Sequence, residues 1–274
     1  MSSQGDVPRP RGSLLAYFAA AYAVAWAFFI PVARGIPARG PLGGTLVFLG
    51  AISPSFVSLA LTFRNEGRAG VRALLDRLWP RPVPGWLYVF AVGYMAAVKL
   101  AAALVVRVST GAWPRFGELP WFLLPFAVAV STPVQAGEEL GWRGYALPRL
   151  AARMGLARAS LLLGLLWACW RLPLFFVRDA DTYGQSFFVY TLEVIAISVV
   201  IAFLYARSQG GLLLPMLLHA AVNNTKDIVP SATPGAHDTF HAHASLVAWL
   251  TVALLWVSAG FLLARMRSRS LPSG

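Results

Sequence analysis

Apolar runs of roughly twenty residues recur along the whole chain, separated by short polar or basic connectors. That is the length a helix needs to cross a hydrocarbon core of about 30 Å. Eight such segments can be drawn: 14–32, 42–63, 86–106, 120–137, 160–177, 186–206, 212–228 and 245–263. Between the second and third, Arg64, Arg68, Arg72, Arg77 and Arg81 alternate with Val71, Leu74, Leu75 and Leu78 at helical spacing. This pattern predicts a short amphipathic helix lying on the membrane. The fold expected is all-α: a polytopic membrane protein of about eight transmembrane helices with a polar site in the bundle, forming one integral-membrane domain over 1–274. Residues 1–12 and 265–274, polar and basic, are expected as flexible cytoplasmic tails. No cleavage signal of small residues follows the first apolar run, so that run is read as retained.

Composition strengthens this reading. The chain is 58% apolar and 12% charged, with a mean hydropathy of +0.64, whereas soluble domains are about one quarter charged. The net charge of +12 is almost entirely arginine, Lys99 and Lys226 being the lysines. The arginines cluster at the ends of apolar runs, which suits anionic headgroups and topology setting rather than nucleic acid. Loops holding Arg64 to Arg81, Arg143 to Arg158, Arg207 and Arg265 to Arg269 fall on one face when the eight segments alternate. The positive-inside tendency makes that face cytoplasmic, with both termini on it. Cys169 is a lone cysteine, so an intramolecular disulfide and a thiolate zinc site are excluded.

Charged side chains inside such segments are costly and mark candidate functional sites. They are Lys99, Glu138, Glu139, Arg171 and Glu193, joined by the polar His219 and Asn223. The stretch GEELGWRGYALPRL, 137–150, ends the fourth segment with two adjacent carboxylates. On a helix Glu139 and Arg143, four apart, share a face and can pair. Glu138 lies about 100° round the helix and has no local cation at that spacing. Lys99 and Arg171 are its candidate partners, and Lys99 can alternatively pair with Glu193. His219 and Asn223, also four apart, stack on one face. They could donate to one developing oxyanion, bind a metal and orient a substrate, or simply bond across a helix interface. His237, His241 and His243 form HDTFHAH, read as solvated histidines of an outer loop. A transporter using Lys99 and Glu193 is the weaker alternative, because the chain has no internal repeat.

Taken together, these motifs resemble the CAAX prenyl protease and bacteriocin-processing intramembrane proteases, the CPBP or Abi family. Glu138, Glu139, Arg143 and Gly144 match its first motif, and His219 with Asn223 its last. The segment 120–224 contains these motifs. The family's middle motif, an aromatic residue and a histidine four positions on, corresponds to Trp167 and Arg171, so the histidine is replaced by arginine.

The resemblance implies an endopeptidase that cuts a peptide bond near the cytoplasmic face of a bacterial plasma membrane. Glu138 would be general base, and His219 and Asn223 the oxyanion donors, with Glu139, Arg143, Arg171 and Trp167 in support. The implied partners are the bilayer and a peptide or protein substrate, lipidated or not, with no nucleic acid. Arg171 has donors only and stays charged, so it cannot act as base or ligand. Beside Glu138 it would favour the ionised carboxylate and tie its oxygens into a bidentate bridge. Any metal would fall to Glu138 and His219, and zinc binding is expected to be weak or absent. The alternative is a catalytically impaired pseudoprotease that binds a membrane peptide or partner protein.

Overall fold

The computed structural model describes residues 13–118, 120–230 and 239–267. All eight expected segments are helical. Six helices are long and apolar enough to cross a membrane among the described residues: Leu14–Ala33, Pro41–Leu78, Trp86–Thr110, Leu156–Phe176, Phe187–Arg207 and Leu246–Met266. Large apolar side chains face outward along them, with Leu15, Phe56, Val89 and Val257 all exposed. A bilayer is the solvent that makes this favourable, and the chain is an integral membrane protein.

The helices are α1 (Leu14–Ala33), α2 (Pro41–Leu75), α3 (Trp86–Thr110), α4 (Leu124–Ser131), α5 (Ala136–Glu139), α6 (Leu147–Met154), α7 (Leu156–Trp170), α8 (Phe187–Arg207), α9 (Leu213–Thr225) and α10 (Leu246–Arg267). A buried π-helix, Leu140–Ala146, links α5 to α6. α1 starts at Ser13, whose hydroxyl accepts the amide of Ala16, and α8 at Ser186, which accepts that of Val189. α7 packs most extensively against α8, α1 against α2, α3 against α9, and α10 against α8. The α7–α8 contact needs a glycine: a Cβ on Gly164 would lie 2.7 Å from the Cα of Ile195. Next to it the Ser198 hydroxyl donates to the Ser160 carbonyl at 2.9 Å.

The fourth and seventh segments are shorter than a full span. α4 has 8 residues and α9 has 13. Pro133 cannot donate a backbone hydrogen bond, and Thr132 turns its hydroxyl back to the Val128 carbonyl at 2.6 Å. The chain therefore passes from α4 through a 3-10 turn, Pro133–Gln135, before α5 begins. Interrupted backbone at membrane depth is tolerated where protein covers it, and here the interruption faces α9.

One expectation is met in part and one is corrected. The stretch after the second segment does form a short helix of its own, because the non-helical backbone of Gly67 (φ 66°, ψ −161°) divides α2 there, and the end of this helix docks on the bundle. Leu74 is buried with Leu140, Leu212 and Met216, while Arg77 donates to the Gly144 carbonyl at 3.0 Å and the Tyr205 hydroxyl at 2.9 Å. The reason is local. Pro148 has no N–H to bond the carbonyl four residues back, so the Gly144 oxygen needs an outside donor, and Arg77 supplies it. At the other end of the chain, 265–267 belong to α10 rather than to a tail; 1–12 and 268–274 lie outside the described residues.

Candidate active site

The site forms where α5, the π-helix, the C-terminal end of α7 and the middle of α9 meet. A π-helix adds a residue per turn and releases backbone groups from the regular ladder. Ser55 of α2 bonds both sides of this turn, accepting the Gly141 amide at 3.2 Å and donating to the Ala136 carbonyl at 2.7 Å. Gly141 is needed at this crossing, since a Cβ there would sit 2.4 Å from the Pro54 carbonyl oxygen and 2.6 Å from the Tyr17 hydroxyl. α2 thus presses against the turn that carries both glutamates. Tyr22 and Trp26 of α1 donate to the Leu166 and Trp170 carbonyls at 2.5 and 3.0 Å, which satisfies the open C-terminal end of α7 beside the site.

The two carboxylates have separate partners. Glu139 is fully buried, and its Oε1 accepts from Arg143 Nη1 and from His219 Nδ1, both at 2.8 Å. Glu138 is 5% exposed; its Oε1 accepts from Arg171 Nη2 at 2.6 Å and its Oε2 from Trp167 Nε1 at 2.7 Å. The Arg171 bridge therefore uses one carboxylate oxygen, not the two expected, and the Trp167 N–H meets the other. Arg171 sits at the C-terminus of α7, where a cation also complements the helix dipole. Trp167 joins the two halves. Its face carries the Arg143 guanidinium 4.5 Å from the ring centroid, and the His219 ring meets it edge-on at 5.0 Å.

Of the residues singled out in the sequence, Glu138, Glu139, Arg143, Trp167, Arg171 and His219 come together. Asn223 lies one turn beyond His219, and its amide donates to Gln135 Oε1 at 3.3 Å rather than to either glutamate. Gln135 is buried and donates in turn to the Ser131 carbonyl at 3.2 Å. The next residue, Asn224, donates to the Ser131 hydroxyl at 2.7 Å. Gln135 and Ser55 were missed in the sequence, although each interrupts an apolar run, in STPVQ and SPS. Lys99 on α3 and Glu193 on α8 are electrostatically coupled to each other. His237 lies outside the described residues. His241 is only partly exposed, with both ring nitrogens buried, rather than solvated.

A metal does not fit this donor set. Both Glu138 oxygens face N–H donors, one from a permanent cation, and with Nδ1 of His219 on Glu139 its Nε2 is left beside them, so Glu138 and His219 offer two ligands where a zinc site takes three or four. Arg143 and Arg171 place two further positive charges beside any ion. Among the described residues no group of three or more His, Cys, Asp or Glu side chains could hold a metal.

Residues 119–225 match the family described as type II CAAX prenyl endopeptidase, Rce1-like. This segment is similar to the CAAX proteases. It contains every residue of the glutamate site together with Gln135 and Asn223. Over 101 residues the chain is 31% identical to CAAX prenyl protease 2 of Methanococcus maripaludis. That match covers 34% of this chain and 36% of the relative, so the chain spans about a third of the curated protein it resembles. The matched segment holds the interrupted helices along with two of the long spans, and the long spans before and after it complete the bundle.

Proposed function

We propose that the chain is an intramembrane endopeptidase of the CAAX type, hydrolysing a peptide bond near the cytoplasmic face of a plasma membrane, with both termini on that side. The observation that carries this reading is the pair of adjacent buried glutamates, each on its own arginine, with His219 brought from α9 onto the second. Glu138 holds the attacking water. Each carboxylate oxygen has two lone pairs, so Trp167 and Arg171 leave acceptor capacity for a water O–H. Arg171 and the Asn223 amide are the donors available to a carbonyl oxygen as it gains charge. The substrate is a membrane-associated peptide, and the curated relative's name makes a prenylated C-terminal peptide the first to try.

The test is cleavage of a quenched fluorescent peptide, farnesylated and unmodified, by purified protein in liposomes. Glu138→Ala is expected to lower kcat about 100-fold or more. Equal rates in wild type and Glu138→Ala would end the reading.

A second reading, a pseudoprotease that binds a membrane peptide without cutting it, is favoured by one observation: the 2.6 Å bridge from Arg171 to Glu138. It predicts an inactive wild type and a gain of Glu138-dependent cleavage in Arg171→His.

A further inference from the structure

We infer that the basic stretch from Arg64 to Arg81 is a docking surface for anionic phospholipid headgroups, and that headgroups held there steady the turn carrying Glu138 and Glu139. Beyond the break at Gly67, α2 is a short helix with two different faces. One carries Leu74, buried with Leu140, Leu212 and Met216. The other carries Arg68 and Arg72, four apart and both exposed, with Arg64 and Arg81 exposed on either side of the helix. Among the described residues none of these four guanidinium groups has a hydrogen bond or an ion pair. Glu66 is taken by Arg149, and Asp76, though four positions after Arg72, is exposed and makes no bridge to it.

Place and chemistry together select the occupant. The stretch joins two membrane spans, so the headgroup layer lies beside it. Trp79 and Trp86 are 70% and 51% exposed, and indoles favour that layer. Guanidinium forks match phosphate oxygens in pairs, and each arginine near an anionic leaflet raises affinity for it about fivefold. Without an anion, Arg68 and Arg72 repel each other along the helix.

The docked face reaches the candidate site. Leu140 follows Glu139 directly and is the first residue of the π-helix, and Leu74 shares its apolar cluster. Arg77, three residues after Leu74, donates to the Gly144 carbonyl of the same π-helix at 3.0 Å. Gly67, at φ 66°, holds a backbone conformation that other residues take only with strain, so the helix is jointed to its span rather than continuous with it. Its position is therefore set by contact on its two faces: the bundle on one, and on the other the phosphates that neutralise the arginines. Losing those phosphates loosens the hold of Leu74 and Arg77 on the π-helix.

The experiment uses the full chain in nanodiscs of phosphatidylcholine alone or mixed equally with phosphatidylglycerol. Hydrogen exchange of the 140–147 amides is followed by mass spectrometry, and the affinity of the detergent-solubilised protein for dioctanoyl phosphatidylglycerol is measured alongside. Phosphatidylglycerol should slow that exchange about tenfold in wild type. Arg68→Gln with Arg72→Gln should erase the slowing and weaken phosphatidylglycerol binding by about 25-fold, about fivefold for each arginine. Arg34→Gln with Arg39→Gln removes the same charge from exposed positions at the opposite end of α2. That pair should leave both readouts within about twofold of wild type, because screening confines each charge to its own surface. All four side chains are exposed, so both double variants should fold. Exchange that ignores lipid composition, or slowing that persists in Arg68→Gln with Arg72→Gln, would overturn the proposal. So would equal losses in the two double variants, or the same slowing by inorganic phosphate in phosphatidylcholine discs, which would mark an anion site indifferent to lipid. Neither readout involves cleavage, so the endopeptidase reading is untouched by either result.

Discussion

Glu138 and Glu139 are neighbours in sequence and opposites in setting. Glu139 and Arg143 sit on successive turns, wholly buried, with His219 as a third member on the same carboxylate oxygen. Glu138 reaches across to α7, where the Arg171 side chain keeps 17% of its surface exposed. The same chemistry, a carboxylate on a guanidinium, is thus fully sealed at one residue and open to solvent at one edge, through Arg171, at the next. The difference comes from the 100° step of the helix, which turns one side chain towards Arg143 and His219 and the other towards Trp167 and Arg171 at the end of α7. A sealed pair can fix geometry. An accessible one can exchange its partner for a substrate or a water.

The contrast is broken most directly by removing one arginine at a time. Arg143→Ala leaves Glu139 as a buried, uncompensated charge, and losing one partner of such a pair costs about 3–5 kcal/mol. We expect a large fall in the thermal midpoint of the detergent-solubilised protein, or no folded protein in size-exclusion chromatography. Arg171→Ala should cost less, about 1.5–3 kcal/mol for a charged hydrogen bond, because water can reach the Glu138 side. Equal losses would mean that the two carboxylates are structurally equivalent.

Trp167→Phe sharpens the contrast within one side chain. The ring that supports Arg143 is largely kept, and only the N–H on Glu138 Oε2 is lost. An expected cost near 1–2 kcal/mol follows from one hydrogen bond to a charged acceptor in a partly open site. Since the Glu139 side is untouched, the His219 tautomer should not change, which NMR would read.

The long spans and the Glu139–Arg143 pair were legible in the sequence because each rests on a local rule, whereas the meeting of His219 with Glu139, 80 residues away, was expected only from the family resemblance. Apolar length reports a span, and a spacing of four reports a shared face. Hidden from such rules were features made by distant contacts or by broken periodicity. The π-helix has no apolar period of its own, because all seven of its residues are buried. The docking of the α2 end depends on the Gly144 carbonyl freed by Pro148, a need that shows only when Arg77 is seen to fill it. Asn223 had the right spacing from His219, yet Gln135, from the interrupted fourth segment, draws its amide away. The choice of Arg171 over Lys99 for Glu138 was likewise a matter of packing. Lys99 lies on α3 and is coupled to Glu193, whereas Arg171 ends the helix against which Glu138 rests.

A third arginine–glutamate bridge gives the comparison its baseline. Arg149 Nη2 donates to Glu66 Oε1 at 2.8 Å, with the Glu66 side chain 34% exposed. This arginine has other support: Nη1 donates to the Tyr145 carbonyl at 3.1 Å and the guanidinium stacks 3.7 Å above the Tyr145 ring. Losing Glu66 therefore leaves Arg149 bonded, stacked and near water, and exposed bridges contribute about 0–1 kcal/mol. Glu66→Gln should lower the thermal midpoint by a degree or two at most, an effect on the order of 0.5 kcal/mol, and leave peptide cleavage unchanged. High salt should shrink even that difference, because screening acts on exposed pairs and hardly reaches buried ones. If Glu66→Gln proved as damaging as Arg143→Ala, burial would not be what separates the three bridges, and the contrast between Glu138 and Glu139 would need a cause other than access to water.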